Sequence, residues 1–176
     1  VLDLGGTPAA WQRCPVRPAQ VVVVNLEPVD RPSPRWIVPV RGDACQLPES
    51  LRGERFDLVY SNSVLEHVGG HARRQAFADS VHAASTRHWV QTPYRYFPVE
   101  PHWLFPGFQF MPPAGQAALS RWWPLGHIRS ADRRSAVHDV LGVELLTRTQ
   151  LACYFPHAEI WPERLAGLVK SLVAVR

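Results

Sequence analysis

The chain has 176 residues and 19 lysines plus arginines against 15 acidic residues, a net charge of +4. This suits one domain large enough to bury about two-thirds of its unfolded surface. Lys170 is the only lysine, and the arginines are scattered rather than gathered into a stripe with aromatic platforms, so no nucleic-acid track is expected. No run of about 18 apolar residues is present, which excludes a membrane-spanning helix, and the 3 cysteines, Cys14, Cys45 and Cys153, lack metal spacing and suit reduced thiols in a cytoplasm.

Val1, Leu2 and Leu4 read as a strand covered on both faces. It runs into Gly5-Gly6-Thr7, a turn that glycine permits where a side chain would obstruct a ligand. An open α/β sheet takes its ligand just beyond the carboxyl ends of its strands, where such a turn sits. Asp3, just before the turn, could hold an ammonium group directly or through a bridging water, and an ordinary strand-end turn is the plain alternative. The sequence opens inside this strand without an initiator Met, so a preceding N-terminal segment is expected.

Pro8 to Cys14 can form a short helix around Trp11. Val21 to Val24 is a β-branched run, better as a second core strand than as a buried helix. It ends at Asn25-Leu26-Glu27-Pro28, about 20 residues beyond the glycine turn, where open nucleotide-binding folds place a ribose partner. Residues 28–35 read as a proline-rich surface loop. Trp36 to Val40 is a third strand whose Pro39 suits a sheet edge, followed by Gly42-Asp43-Ala44. There Asp43 can accept from an exocyclic amine while Ala44 leaves room for a flat ring. Phe56 to Tyr60 is the fourth strand, leading into Ser61-Asn62-Ser63.

Phe77, Val81 and Ala84 recur at helical spacing, which predicts an amphipathic helix from His71 to Ser85. His88 to Thr92 is the fifth strand. Tyr94 to Pro113 is too irregular for either period, and a long structured loop inside a compact domain is usually functional. Helices are expected around 114–123 and 130–141, and Thr147 can cap another through Tyr154. Ala158–Trp161 and Leu168–Val175 read as strands joined at Gly167. The pattern describes a mostly parallel sheet with one antiparallel strand.

Taken together, Val1-Leu2-Asp3-Leu4-Gly5, Asn25, Gly42-Asp43-Ala44 with Leu47-Pro48, and the run from Phe56 to His67 resemble class I S-adenosylmethionine-dependent methyltransferases over essentially the whole chain. The resemblance implies an α/β, Rossmann-like three-layer sandwich, with a seven-stranded mostly parallel sheet whose last strand is antiparallel. It implies a single methyltransferase domain over 1–176, with an acceptor-binding insertion at 93–142. S-adenosylmethionine would be the cofactor. Asp3, Gly5 and Gly6 would meet its methionine part, Asn25 with Glu27 its ribose, Leu26 the adenine face, and Asp43 and Ala44 the adenine edge, with Ser61 closing the pocket. Thr7 and Ala9 stand where the family has its second and third glycines, and Asn25 where it has a ribose carboxylate.

The segment from Thr92 to Pro106 is similar to a subgroup carrying P-x-x-x-F-P-x-E-P-H after the fifth strand, some members of which methylate sugar or polysaccharide hydroxyls. A hydroxyl attacks well only as it loses its proton, and a positioned histidine can take that proton. His102 is the first choice as base and His67 the second, with Glu100 orienting the ring or binding an acceptor hydroxyl. A scaffold role for His102, anchoring its loop, is the alternative. Glu66, Glu100 and the two histidines could also gather around Mg²⁺, though the spacing does not demand a metal. Trp11, Tyr94, Tyr96 and Trp103 could line a sugar site or face the sulfonium. The expected partner is a sugar or oligosaccharide acceptor, and a homodimer is compatible. The competing readings are methylation of another small-molecule hydroxyl or amine, and a non-catalytic binding module on the same fold. A nicotinamide enzyme would need G-x-G-x-x-G, which Gly5-Gly6-Thr7-Pro8 does not supply.

Overall fold

A computed structural model of the chain describes residues 1–27 and 32–176, so part of the expected loop at 28–35 lies outside the described residues. Strands β1 (Leu2–Leu4), β2 (Val21–Asn25), β3 (Ile37–Arg41), β4 (Val59–Asn62) and β5 (His88–Pro93) run parallel. After a two-stranded hairpin of β6 (Val99–Glu100) and β7 (Phe105–Pro106), β8 (Glu159–Leu165) and β9 (Leu168–Val175) complete the main sheet. That sheet has 7 strands in the order β3-β2-β1-β4-β5-β9-β8, and β9 is antiparallel to both neighbours. The expected sheet, with its last strand reversed, is therefore observed. Pro39 sits in β3 at the sheet edge, where one missing ladder donor costs least.

Helices α1 (Pro8–Arg13), α2 (Gly70–Ala84), α3 (Pro113–Ser120), α4 (Arg133–Leu141) and α5 (Arg148–Tyr154) flank the sheet or build the segment after β5. On one face, Leu2, Leu4, Val22, Val24, Val59, Val90, Leu172 and Ala174 pack under Phe77, Val81, Leu151 and Phe155 of the α2 and α5 layer. On the other, Val21, Val23 and Ile37 pack with Trp11 of α1. Phe77 is fully buried, and burying such a side chain stabilises by about 1.5–3 kcal/mol. Thr7 caps α1 through Ala10 N–H, and Thr147 with Gln150 forms a capping box on α5. Among the described residues no helix is long and apolar enough to cross a membrane.

Two expectations are corrected. The fourth strand begins at Val59 rather than Phe56, because Phe56 N–H is taken by Ala84 O at the end of α2 and so closes that helix instead of joining the ladder. Tyr94 to Pro113 is not wholly irregular. Its β6–β7 hairpin forms because Glu100 Oε2 accepts from both His102 N–H and Trp103 N–H, 2.8 Å each, tying a turn too short to show a period of two. Trp103 stacks on Phe108 at 4.4 Å and, with Ala117, Ala136 and Val140, makes a second apolar cluster within the segment that follows β5. Trp103 is therefore mainly core packing, 2 % exposed, although it also borders a cavity in that segment.

Candidate active site

The sheet order turns outward on either side of β1, and the loops beyond β1, β2, β3 and β4 meet at that point. A cavity of about 250 Å³ opens there, lined by Gly5, Asn25, Leu26, Asp43, Ala44 and His67 among others. The three sequence-separated turns expected to converge do so. Gly5 has φ +84°, and a Cβ there would stand 2.4 Å from a Val64 methyl, so only glycine keeps both the turn and the space. Leu26 is exposed at 65 %, leaving its side chain free to cover a flat ring.

Most polar groups around this crevice are already engaged within the protein. Asn25 Nδ2 donates to Gly5 O and Gly6 O at 3.3 and 2.9 Å, and its Oδ1 accepts from Glu27 N–H, so the residue clamps the glycine turn to the end of β2. Asp43 accepts both contacts of Arg73 Nη2, at 3.0 and 2.8 Å, and Cys45 N–H. Partial burial acts to raise the Asp43 pKa, but Arg73 and the Cys45 N–H outweigh it and hold the carboxyl below its usual value. Arg73, on α2 and distant in sequence, had no local signal. Ser61 Oγ donates to Leu4 O and is fully buried, fastening β4 to β1.

Asp3, Gly6, Glu27 and Ser61 do not line the cavity. Asp3 lies behind it, 2 % exposed, where its Oδ2 accepts from Trp11 Nε1 at 2.6 Å and its Oδ1 has no partner. Burial pushes the Asp3 carboxyl up to about 6. A Cβ on Gly6 would fall 1.8 Å from Asp3 Oδ2, so this glycine makes room for the carboxylate. Trp11 is thereby committed to Asp3.

A second polar group adjoins the crevice through His67. Glu100, at the end of β6, sets His102 with a contact of 2.7 Å to Nδ1. His102 Nε2 then lies 3.1 Å from His67 Nε2, with the two rings nearly perpendicular. Glu66 is fully buried beneath them. Its Oε2 accepts from Thr92 Oγ1 at 2.9 Å, while its Oε1 has no hydrogen-bond partner and stands 3.9 Å from His67 Nε2. Burial pushes Glu66 up to about 7, and burial together with the neighbouring His102 lowers His67. The sequence named both histidines and Glu100, while the joining of Glu66 to Thr92 required β4 and β5 to be adjacent.

No protein-family model and no curated protein sequence matches this chain. Solved structures do. A Rhodobacter sphaeroides protein described as a zinc-dependent alcohol dehydrogenase superposes with a TM-score of 0.60 at 12 % identity, over 99 % of this chain and 82 % of its own. An S-adenosylmethionine-dependent methyltransferase from Mesorhizobium loti gives 0.57 at 16 %, over 99 % and 89 %. One from Anabaena variabilis gives 0.54 at 14 %, over 99 % and 74 %. At such identities the likeness defines the fold: this chain has the Rossmann-like, seven-stranded architecture of those methyltransferase neighbours.

Proposed function

We propose that this chain is an S-adenosylmethionine-dependent O-methyltransferase acting on a hydroxyl of a sugar or oligosaccharide. One observation supports it above the rest. Gly5, Asn25, Leu26, Asp43 and Ala44 line one crevice, and His67 joins that crevice to the Glu100–His102 pair. The crevice fits an adenosine: Gly5 excludes a Cβ, Gly42 would drive one to 2.9 Å from Pro48 Cδ, and Ala44 keeps the slot shallow. Leu26 covers the ring, and exposed Glu27, beside the crevice rather than lining it, offers a carboxylate to a ribose that extends past the rim, Asn25 being engaged. Two methyltransferases of the same fold add to the assignment.

When bound, the cofactor supplies a sulfonium methyl. The chain's task is to hold an acceptor oxygen in line with it and remove that oxygen's proton. Glu100 holds the His102 ring by Nδ1, leaving Nε2 directed toward His67 and the rim of the crevice. The segment 93–142 binds the acceptor. A cavity of about 340 Å³ between it and the residues just after it is lined by Arg95, Glu100, Trp103, Gln109, Gln116 and Glu144 among others. Gln109 Nε2 donates to Arg95 O and Phe97 O, so this side chain braces the wall of the cavity.

Calorimetry with S-adenosylmethionine tests the crevice, and turnover on a panel of hydroxylated glycans tests the acceptor. Methylmannose oligosaccharides head the panel, because Thr92 to Pro106 resembles the 1-O-methyltransferase of methylmannose polysaccharide assembly. Binding with turnover on glycans is expected. Binding with turnover only on other hydroxyls or amines moves the acceptor class. Binding with no turnover makes the chain a binding module, and no binding removes the assignment.

A further inference from the structure

We propose that Glu66, His67 and His102 form a three-ligand site for a divalent transition metal of the zinc type. One donor atom from each lies within 4.8 Å of the other two. The two Nε2 atoms are 3.1 Å apart. Two imidazoles on one tetrahedral zinc, each at roughly 2.0–2.1 Å, have nitrogens about 3.3 Å apart, so the pair is already at ligand separation. The carboxylate needs only a small side-chain movement, since Glu66 Oε1 stands 3.9 Å from His67 Nε2.

The surroundings favour a ligand set over a chance cluster. Glu66 is fully buried, yet Oε1 has no hydrogen-bond partner, and a buried acceptor without one is costly. Its other oxygen is fixed by Thr92 Oγ1 at 2.9 Å, which leaves Oε1 as the available atom. His102 has its Nδ1 on Glu100 at 2.7 Å, the outer-shell carboxylate support that commonly orients a ligating imidazole by its far nitrogen. Glu100 is itself pinned by His102 N–H and Trp103 N–H. Two nitrogens and one oxygen suit zinc or cobalt better than Mg²⁺, which prefers an all-oxygen octahedron. The Mg²⁺ that the sequence allowed at Glu66, Glu100 and the two histidines is the poorer match to these three donors.

Three protein ligands leave a fourth position, and the His67 side chain, 40 % exposed, opens it toward solvent. The site rests on these three side chains alone; only its role rests on methyl transfer. In that role an acceptor hydroxyl enters the fourth position and releases its proton to solvent as its oxygen binds the ion. The oxygen's electron pair then forms the bond to the methyl while the carbon–sulfur bond breaks and its pair stays on the leaving thioether. The ion takes over the activation that His102 Nε2 performs without it.

The full-length chain, stripped with a chelator, is titrated with Zn²⁺ by calorimetry and with Co²⁺ by visible absorption, without S-adenosylmethionine. One ion per chain and a low-symmetry Co²⁺ spectrum are expected. Glu100→Gln should weaken binding by about 10–100-fold, as loss of an outer-shell partner does, and His67→Ala and Glu66→Gln by more. His71→Ala, on an imidazole bonded to Tyr154, should bind as the parent does. Binding that is absent, or equal in the parent, His67→Ala and Glu66→Gln, overturns the site. Metal binding with turnover unaffected by chelator overturns only the catalytic role. Metal binding without S-adenosylmethionine binding leaves the site standing and removes the methyl-transfer reading.

Discussion

Asn25 and Glu66 stand at the same end of the sheet and are used in opposite ways. Asn25 exhausts its amide on Gly5 O, Gly6 O and Glu27 N–H. Glu66 keeps one buried oxygen unpartnered beside two facing imidazoles. The same contrast extends to their neighbours. Asp43 is tied to Arg73, and Ser61 to Leu4 O, whereas His67 and His102 present their Nε2 atoms to each other. Groups that are satisfied internally define a shape, and a ligand there is gripped by backbone and apolar surface. Groups held in reserve can exchange protons or take an ion. On the proposed reading the first region is a mould and the second a reactive group, and this division decides what each substitution should do.

The largest effect is expected at the reactive group. His102→Ala should lower transfer to a sugar hydroxyl by about 10²–10⁴-fold while cofactor affinity stays near that of the parent. Calorimetry and initial rates measured together check it, and an equal fall in both would assign His102 to the scaffold. In the mould, Gly5→Ala should destabilise by about 1–3 kcal/mol, because φ is +84° and the new methyl meets Val64. Adding Val64→Ala should return the steric part and leave the backbone part, as read from urea midpoints. Full recovery in the double variant would mean that the left-handed turn costs nothing.

Asp3→Asn tests whether a carboxylate behind the mould is kept at the expense of stability. The folded state raises the Asp3 pKa from 3.8 to about 6, so the stability it lends is whole below pH 3.8 and lost as pH rises through 6. Asparagine can still accept from Trp11 Nε1, so the variant should gain on the parent across that window, by about 3 kcal/mol above it. Thermal melts at pH 4 and 7 decide this, and a gain equal at both would show the charge to be irrelevant. The smallest effect is expected from Arg73→Gln. The exposed ion pair with Asp43 should contribute about 0–1 kcal/mol, and cofactor affinity should change little if shape does the gripping. A large loss of affinity on titration would make Asp43 and Arg73 direct contacts and blur the contrast drawn above.

Local chemistry was enough for most of the elements, though not for the β6–β7 hairpin. The β-branched run Val21 to Val24, the apolar spacing of Phe77, Val81 and Ala84, Pro39 at an edge and the Thr147 cap each act over a few residues, so each is legible without partners. The convergence of Gly5, Asn25 and Asp43 was also readable, since a parallel sheet puts its strand ends on one side. What only the tertiary structure decided is which polar atoms are left over. Arg73 reaches Asp43 across 30 positions, Thr92 reaches Glu66 across 26, and His102 reaches His67 across 35. Whether a side chain is consumed or available depends on what stands opposite it, and sheet pairing and helix packing, not spacing along the chain, set that neighbour.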